Sequence, residues 1–181
     1  MEKELKQLFN QIDNAVATVA QKHPREFRCK KGCSDCCNAV FDISLAEAML
    51  IKKYFSMLGR KTRRQVLKKA KEAQKTWDEN FVAKTIDDIS KLRIPCPLLS
   101  RDEECLLYEV RPVNCRTYGV PTEINGHGHV CSLSGFKAGQ SYPTIRLNII
   151  QEELLKISGQ VDPQKANQRW PISAVLLDKV Y

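Results

Sequence analysis

The stretch CKKGCSDCC, residues 29–37, places four of the chain's eight cysteines in nine positions. Thiols that dense pair as disulfides, act as nucleophiles or hold metal, and each use constrains the fold around them differently. The redox compartment separates these uses. The N-terminus, MEKELKQLFNQIDNAVATVAQK, spreads acids and bases along an amphipathic pattern. It lacks the basic start and unbroken apolar run of a secretory leader. No stretch approaches the roughly 18 consecutive apolar residues of a membrane span. The sequence therefore points to a cytoplasmic protein with no membrane partner, where thiols stay reduced and clustered cysteines bind metal or do chemistry.

The remaining cysteines, Cys96, Cys105, Cys115 and Cys131, come singly, with gaps of eight, nine and fifteen residues. Only Cys33 and Cys36 show the two-residue gap of a zinc knuckle, so paired zinc ribbons are not written here. Adjacent side chains in extended chain point to opposite sides. Cys36 and Cys37 are therefore expected to serve two metals, or to contribute one ligand between them. The expected arrangement is interleaved: the first cluster and the distal cysteines jointly enclose one or two metal positions. The alternative is one site from 29–37 and another from 96–131. Four thiolates suit Zn²⁺ and an iron–sulfur cluster alike. Cys29-x3-Cys33-x2-Cys36 matches the spacing of radical S-adenosylmethionine enzymes, but the alternating strands of their barrel are missing from the pattern.

The rest of the chain reads as mainly α. Leu5, Leu8, Phe9, Ile12, Val16 and Val19 recur at helical spacing over residues 2–22, and His23-Pro24 discourages continuation. Ser44-Leu-Ala-Glu47 is a capping-box pattern opening a helix that should run through Leu58, with Gly59 as its C-cap. A longer helix is expected over 62–90, carrying Val66, Ala70, Ala73, Trp77, Phe81, Ile86 and Ile89. Helices also fit 145–158, ending at Gly159, and Ile172 to Val180. Between Pro95 and Cys131, prolines and glycines break every helical run, and no run of alternating strands is evident anywhere. The expectation is one small helical domain over 1–181. Its cysteine-cluster core spans 29–131 as irregular loops organised by metal, with helices 2–22 and 145–180 packed on it.

The block CPLLSRDEECLLYEVRPVNCRTYG, residues 96–119, taken together with CKKGCSDCC, resembles the cysteine-cluster family named for its CxxCxxCC motif, described as zinc- or iron-chelating. The matching residues are Cys33, Cys36 and Cys37, then Cys96-Pro97-Leu98, Cys105, Tyr108, Arg111-Pro112, Cys115-Arg116 and Tyr118. The resemblance covers about 29–131 and departs from the family name in its first gap, three residues long instead of two. It implies chelation of zinc or of an iron–sulfur cluster by Cys29, Cys33, Cys36, Cys37, Cys96, Cys105, Cys115 and Cys131. It implies no reaction, so whether the chain is an enzyme stays open. A larger relative with such a motif, the flagellin lysine methylase, is associated with an iron–sulfur centre, which keeps redox or methyl-transfer chemistry as an alternative.

Burying a thiolate-held metal requires its negative charge to be offset. Arg111 and Arg116 bracket Cys115, and the sequence leaves two roles for them: donating N–H bonds to sulfur, or pairing on the surface with Asp102, Glu103 or Glu104. His127 and His129, just before Cys131, are candidate reserve ligands or solvated side chains.

The net charge of +8 is local. Residues 52–75 hold ten Lys or Arg against a single acid, Glu72, so the rest of the chain carries −1. Arg60, Lys61, Arg63, Arg64, Lys68 and Lys71 make a basic helical face that is either simply solvated or a docking surface for an acidic protein or nucleic acid. No GxGxxG, Walker A or HExxH is present. The metal-chelating function heads the expectations, with the redox centre and a zinc-stabilised binding module behind it.

Overall fold

The apolar stripe of the first 22 residues folds as one helix, α1 (Glu2–Lys22), in the computed structural model, which describes residues 1–30, 32–81 and 92–180. Leu5, Phe9, Ile12 and Val19 are its buried side chains. A two-residue strand, β1 (Ile43–Ser44), leads into α2 (Leu45–Ser56), and the expected capping box is present at the junction. Ser44 Oγ accepts from the Glu47 N–H, and Glu47 Oε2 accepts from the Ser44 N–H at 2.8 Å.

Helix α2 stops at Ser56, two residues before the expected Leu58, and Met57 caps it in right-handed conformation. Gly59 is not the C-cap. Its carbonyl accepts the Arg63 N–H at 3.0 Å and so opens the next helix, α3 (Arg60–Phe81). The expected continuation to residue 90, with Ile86 and Ile89, lies outside the described residues. Along α3, Val66, Ala70 and Ala73 face the core.

The block from 95 to 131 is irregular as expected, apart from a 3-10 turn at Tyr108–Val110, a short helix and a hairpin. A five-residue helix, α4 (Val113–Thr117), carries Cys115. A hairpin joins β2 (Thr122–Ile124) to β3 (His127–His129) through Asn125 and Gly126, both at positive φ. That is the two-residue turn an Asn-Gly pair favours. Strand β4 (Ile145–Arg146) runs parallel to β2 and takes the first two residues of the helix expected over 145–158, which begins instead as α5 (Leu147–Gly159). Strand β5 (Arg169–Trp170) pairs antiparallel with β1, and α6 (Ile172–Leu176) ends four residues short of the expected Val180. The fold is thus mainly α, with six helices and five short strands among the described residues.

One core cluster joins Leu5 and Phe9 of α1, Leu50 and Ile51 of α2, Val66 of α3, Leu154 of α5 and Val175 of α6. Leu98, Leu107, Val110 and Val113 belong to the same cluster, so the cysteine block is docked on the helices by its own apolar residues. No helix among the described residues is long and apolar enough to cross a membrane.

Candidate metal centre

Three local devices bring distant cysteines together. The chain at Cys37–Ala39 pairs with the chain at Arg93–Cys96: the Cys96 N–H donates to the Cys37 carbonyl at 2.6 Å, the Ile94 N–H to the Asn38 carbonyl at 3.1 Å, and Ala39 bridges Arg93. The loop after Cys96 then folds back on itself. Ser100 Oγ accepts the N–H groups of Asp102 and Glu104, and Leu99 bridges Cys105. Finally, Glu47 Oε1 accepts the Val113 N–H at 2.8 Å, which fixes the start of α4 and hence Cys115.

The result is one cavity of about 50 Å³ lined by Cys36, Cys37, Cys96, Cys105 and Cys115, with Arg111 and apolar side chains such as Phe41, Ile94 and Leu98 completing the wall. The thiols interleave across the sequence; 29–37 and 96–131 do not form separate groups. Cys36 and Cys37 line the same cavity, against the expectation of opposed side chains. Residues 35–37 form a 3-10 turn, so the extended-chain alternation does not apply to them. All eight cysteines are free thiols.

Charge is unfavourable in this cavity. Cys96 is pushed up to about 12 by burial, and Cys105 is raised by the same cause. Cys115 is raised well above the ordinary thiol range by burial and by the neighbouring charges of Cys36, Cys96 and Cys105. Cys36 and Cys37 share a hydrogen bond that lowers Cys36 and raises Cys37, and the Arg111 charge helps to lower Cys36. With burial and mutual repulsion opposing ionisation, these sulfurs become thiolates together only beside a cation. Among the described residues, no three thiol, imidazole or carboxylate groups stand close enough to hold a single ion as they are. The donors match a thiophilic metal in type and number, but they surround a space instead of meeting at a point.

Cys29, Cys33 and Cys131 do not line that cavity. Cys131 Sγ lies 3.7 Å from Asp35 Oδ2, which also accepts the Tyr118 hydroxyl at 3.0 Å, while Arg93 pairs with Oδ1 at 3.1 Å. Cys29 is pushed up to about 11 by partial burial of its sulfur and by the charges of Cys33, Cys131, Cys36 and Asp35. The Gly135 N–H donates to the Glu26 carbonyl at 2.7 Å, which draws the chain at 131–135 onto the segment before Cys29.

Of the two arginines, Arg111 reaches the thiols. It lines the cavity, stacks on Tyr108 with 3.9 Å to the ring centroid, and pairs with Asp13 at 3.5 Å. Arg116 is 6% exposed and sits beside Cys115, but it donates to Asp13 and to the carbonyls of Arg111 and Glu109. Asp13 in α1 is the partner of both, not Asp102, Glu103 or Glu104. His127 and His129 lie on the exposed strand β3. Arg60, Lys61, Arg64, Lys68 and Lys71 are exposed along α3, Arg63 is half-buried, and none of the six has an ion pair among the described residues. Asp35 and Asp13 are the participants that motif reading missed. Asp35 sits inside CSDCC and was findable there, whereas Asp13 is 103 residues from its Arg116 partner.

Comparison with known proteins identifies one relationship. Residues 28–132, more than half of the chain and all eight of its cysteines, match the model of the CxxCxxCC family, described as a proposed zinc- or iron-chelating domain. No curated protein and no solved structure matches the chain.

Proposed function

The chain belongs to the CxxCxxCC family, and from that membership we propose that it chelates metal through the thiolates of Cys36, Cys37, Cys96, Cys105 and Cys115. The observation that carries this proposal is the shared cavity: five thiols from separate stretches of chain line one space with a guanidinium at its edge. Soft, buried sulfur donors select zinc or iron over hard cations such as Mg²⁺ or Ca²⁺. Four thiolates around a divalent ion leave a charge of −2, and Arg111 offsets part of it. A bound zinc would tie the three stretches together, and an iron–sulfur cluster would add one-electron transfer.

Thiolate donors of this kind serve zinc and an iron–sulfur cluster alike. The deciding measurement is metal content, acid-labile sulfide and visible spectrum on protein purified without oxygen. Iron with sulfide and a broad visible band supports the cluster; stoichiometric zinc in a colourless sample supports the single ion. Cys96→Ser and Cys115→Ser are each expected to lose the metal. Protein with no metal and eight freely reacting thiols would falsify chelation altogether.

The basic face of α3 supports a second role, contact with an acidic protein or nucleic acid, because its six cations have no ion pair among the described residues. Steep weakening of binding to a polyanion as salt rises is the expected signature, and salt-independent binding counts against it.

A further inference from the structure

Residues 60–75 of α3 hold eight Lys or Arg against one acid, Glu72, a net +7 in a chain of +8. We propose that the outer face of α3 docks on double-stranded DNA, gripping its phosphates without reading its sequence. This deepens the role of that face in contacting an acidic partner, rests on it, and commits it to one partner.

At about 100° per residue, Arg60, Lys71, Arg64, Lys68 and Lys61 fall, in that order, within one arc of about 100°. Buried Val66, Ala70 and Ala73 lie across the helix from them, so the arc faces outward. All five side chains are exposed, and none has an ion pair among the described residues. With a rise of about 1.5 Å per residue the strip is about 16 Å long. Lys75, paired with Glu79 at 3.8 Å, continues it. One flank is closed: Lys69 donates to the Leu99 carbonyl, and the turn after Leu99 carries Asp102, Glu103 and Glu104. The arrangement works against the helix itself. Arg60–Arg64, Arg64–Lys68 and Lys71–Lys75 are like charges one turn apart, and such pairs weaken a helix. A face that is merely solvated gains from mixed signs. A single sign is a cost that a bound polyanion offsets.

The chemistry of the strip selects among polyanions. Among the described residues the exposed large apolar side chains are Met57, Tyr108, Val130, Leu133, Ile149 and Leu155, and none of them lies on α3. A protein interface needs an apolar or aromatic centre inside its polar rim, which the strip lacks. A helix that lies on a membrane buries its apolar face in lipid, and that face of α3 is already buried in the core. Single-stranded nucleic acid is held by stacking on aromatic side chains as well as by charge, and the arc holds no aromatic residue. A duplex needs neither, because it offers one phosphate charge per about 1.7 Å of its axis. The B-form major groove, about 12 Å wide, admits an α-helix, whereas the A-form groove of RNA is deep and narrow. The five cations are donors only, so they present no mixed donor and acceptor pattern with which to read bases.

The test is fluorescence anisotropy of the full-length protein, as purified, on labelled duplex DNA of arbitrary sequence, repeated over a range of salt. Five phosphate contacts predict a slope of about −4.5 in log K against log salt. The triple reversal Lys61→Glu, Arg64→Glu, Lys68→Glu should weaken binding by more than about 10-fold and flatten the slope to about −2. If that variant fails to fold, Lys61→Gln, Arg64→Gln, Lys68→Gln makes the same comparison. Reversal of exposed Lys3, Lys137 and Arg146 changes net charge equally and should leave affinity within about 3-fold. An equal loss in that control would show that net charge binds, and not the strip, and overturns the proposal. Duplex RNA, single-stranded DNA, poly-glutamate and vesicles of anionic lipid are titrated alongside. Tighter binding to any of these than to duplex DNA overturns the DNA assignment. If the α3 reversal abolishes that binding, the face keeps its acidic-partner role. Absence of salt-dependent binding to every one of them removes that role and the DNA assignment together.

Discussion

Glu47 is 2% exposed, and both of its carboxylate oxygens are in use. Oε2 accepts from the Ser44 N–H and hydroxyl, while Oε1 accepts from Val113 across 66 residues, so one side chain caps α2 and seats the helix bearing Cys115. Glu47→Ala removes a cap and strands three donors in the interior. A loss of about 2–4 kcal/mol is expected, measured as a shift of the urea midpoint at unchanged m-value. Asp13 has a comparable duty toward Arg111 and Arg116. It is 40% exposed, so Asp13→Ala should cost less than the rupture of a fully buried pair, about 1–3 kcal/mol in the same assay. The local half of these contacts was legible. Ser44 and Glu47 stand three apart in a recognised pattern, but nothing near Glu47 names Val113, and nothing near Asp13 names two arginines in the cysteine block. Pairings over such separations are set by how helices pack, which motif spacing does not encode.

Helix α3 shows what periodicity settles at the scale of an element and what it leaves open. Val66, Ala70 and Ala73 mark its buried face as the sequence predicts, and the cations fall on the outside. Lys61, Arg64 and Lys68 have no ion pair among the described residues, so the triple charge reversal Lys61→Glu, Arg64→Glu, Lys68→Glu should change stability by under about 0.5 kcal/mol per site. A fall of several kcal/mol in the denaturation midpoint would show that the face packs against something. Boundaries were less legible than faces. Gly59 looked like the end of α2 because glycine favours C-caps, yet it serves as the beginning of α3; a glycine between two helices fits either role. The Asn125-Gly126 hairpin was readable from its dipeptide, though its strands are three residues each and too short to show alternation. Cys36 and Cys37 depended on one local choice, extended chain or 3-10 turn. The turn put both in one cavity with Cys96, Cys105 and Cys115, so the reason given for opposing them does not apply.

Across the whole molecule, thiol protonation, metal and stability are linked. Burial pushes the Cys29 thiol up to about 11 and the Cys96 thiol up to about 12 in the folded chain, against an ordinary value of 9.0. The folded, metal-free protein thus holds these protons more tightly than the unfolded chain. Stability from this source is whole below pH 9.0 and is lost as pH rises through about 11 and about 12. Metal binding runs the other way, because it needs thiolates and releases their protons, so affinity climbs over that range. Thermal melts should therefore show Tm falling above pH 9.0 for chelator-treated protein and holding for metal-loaded protein; parallel curves would show that the thiols are not the ligands. Removing the metal at neutral pH should not unfold the chain. Leu98, Leu107, Val110 and Val113 fasten the cysteine block to the same core that joins α1, α2, α3, α5 and α6, and that apolar contact does not depend on the ion. What the ion adds is confinement of the stretches between those anchors. Hydrogen exchange on stripped protein should accelerate at residues 32–37 and 99–105, while α1, α2 and α5 keep their protection and the far-UV signal holds. Collapse of helical protection along with the loops would mean that metal, and not the apolar docking, holds the block to the helices.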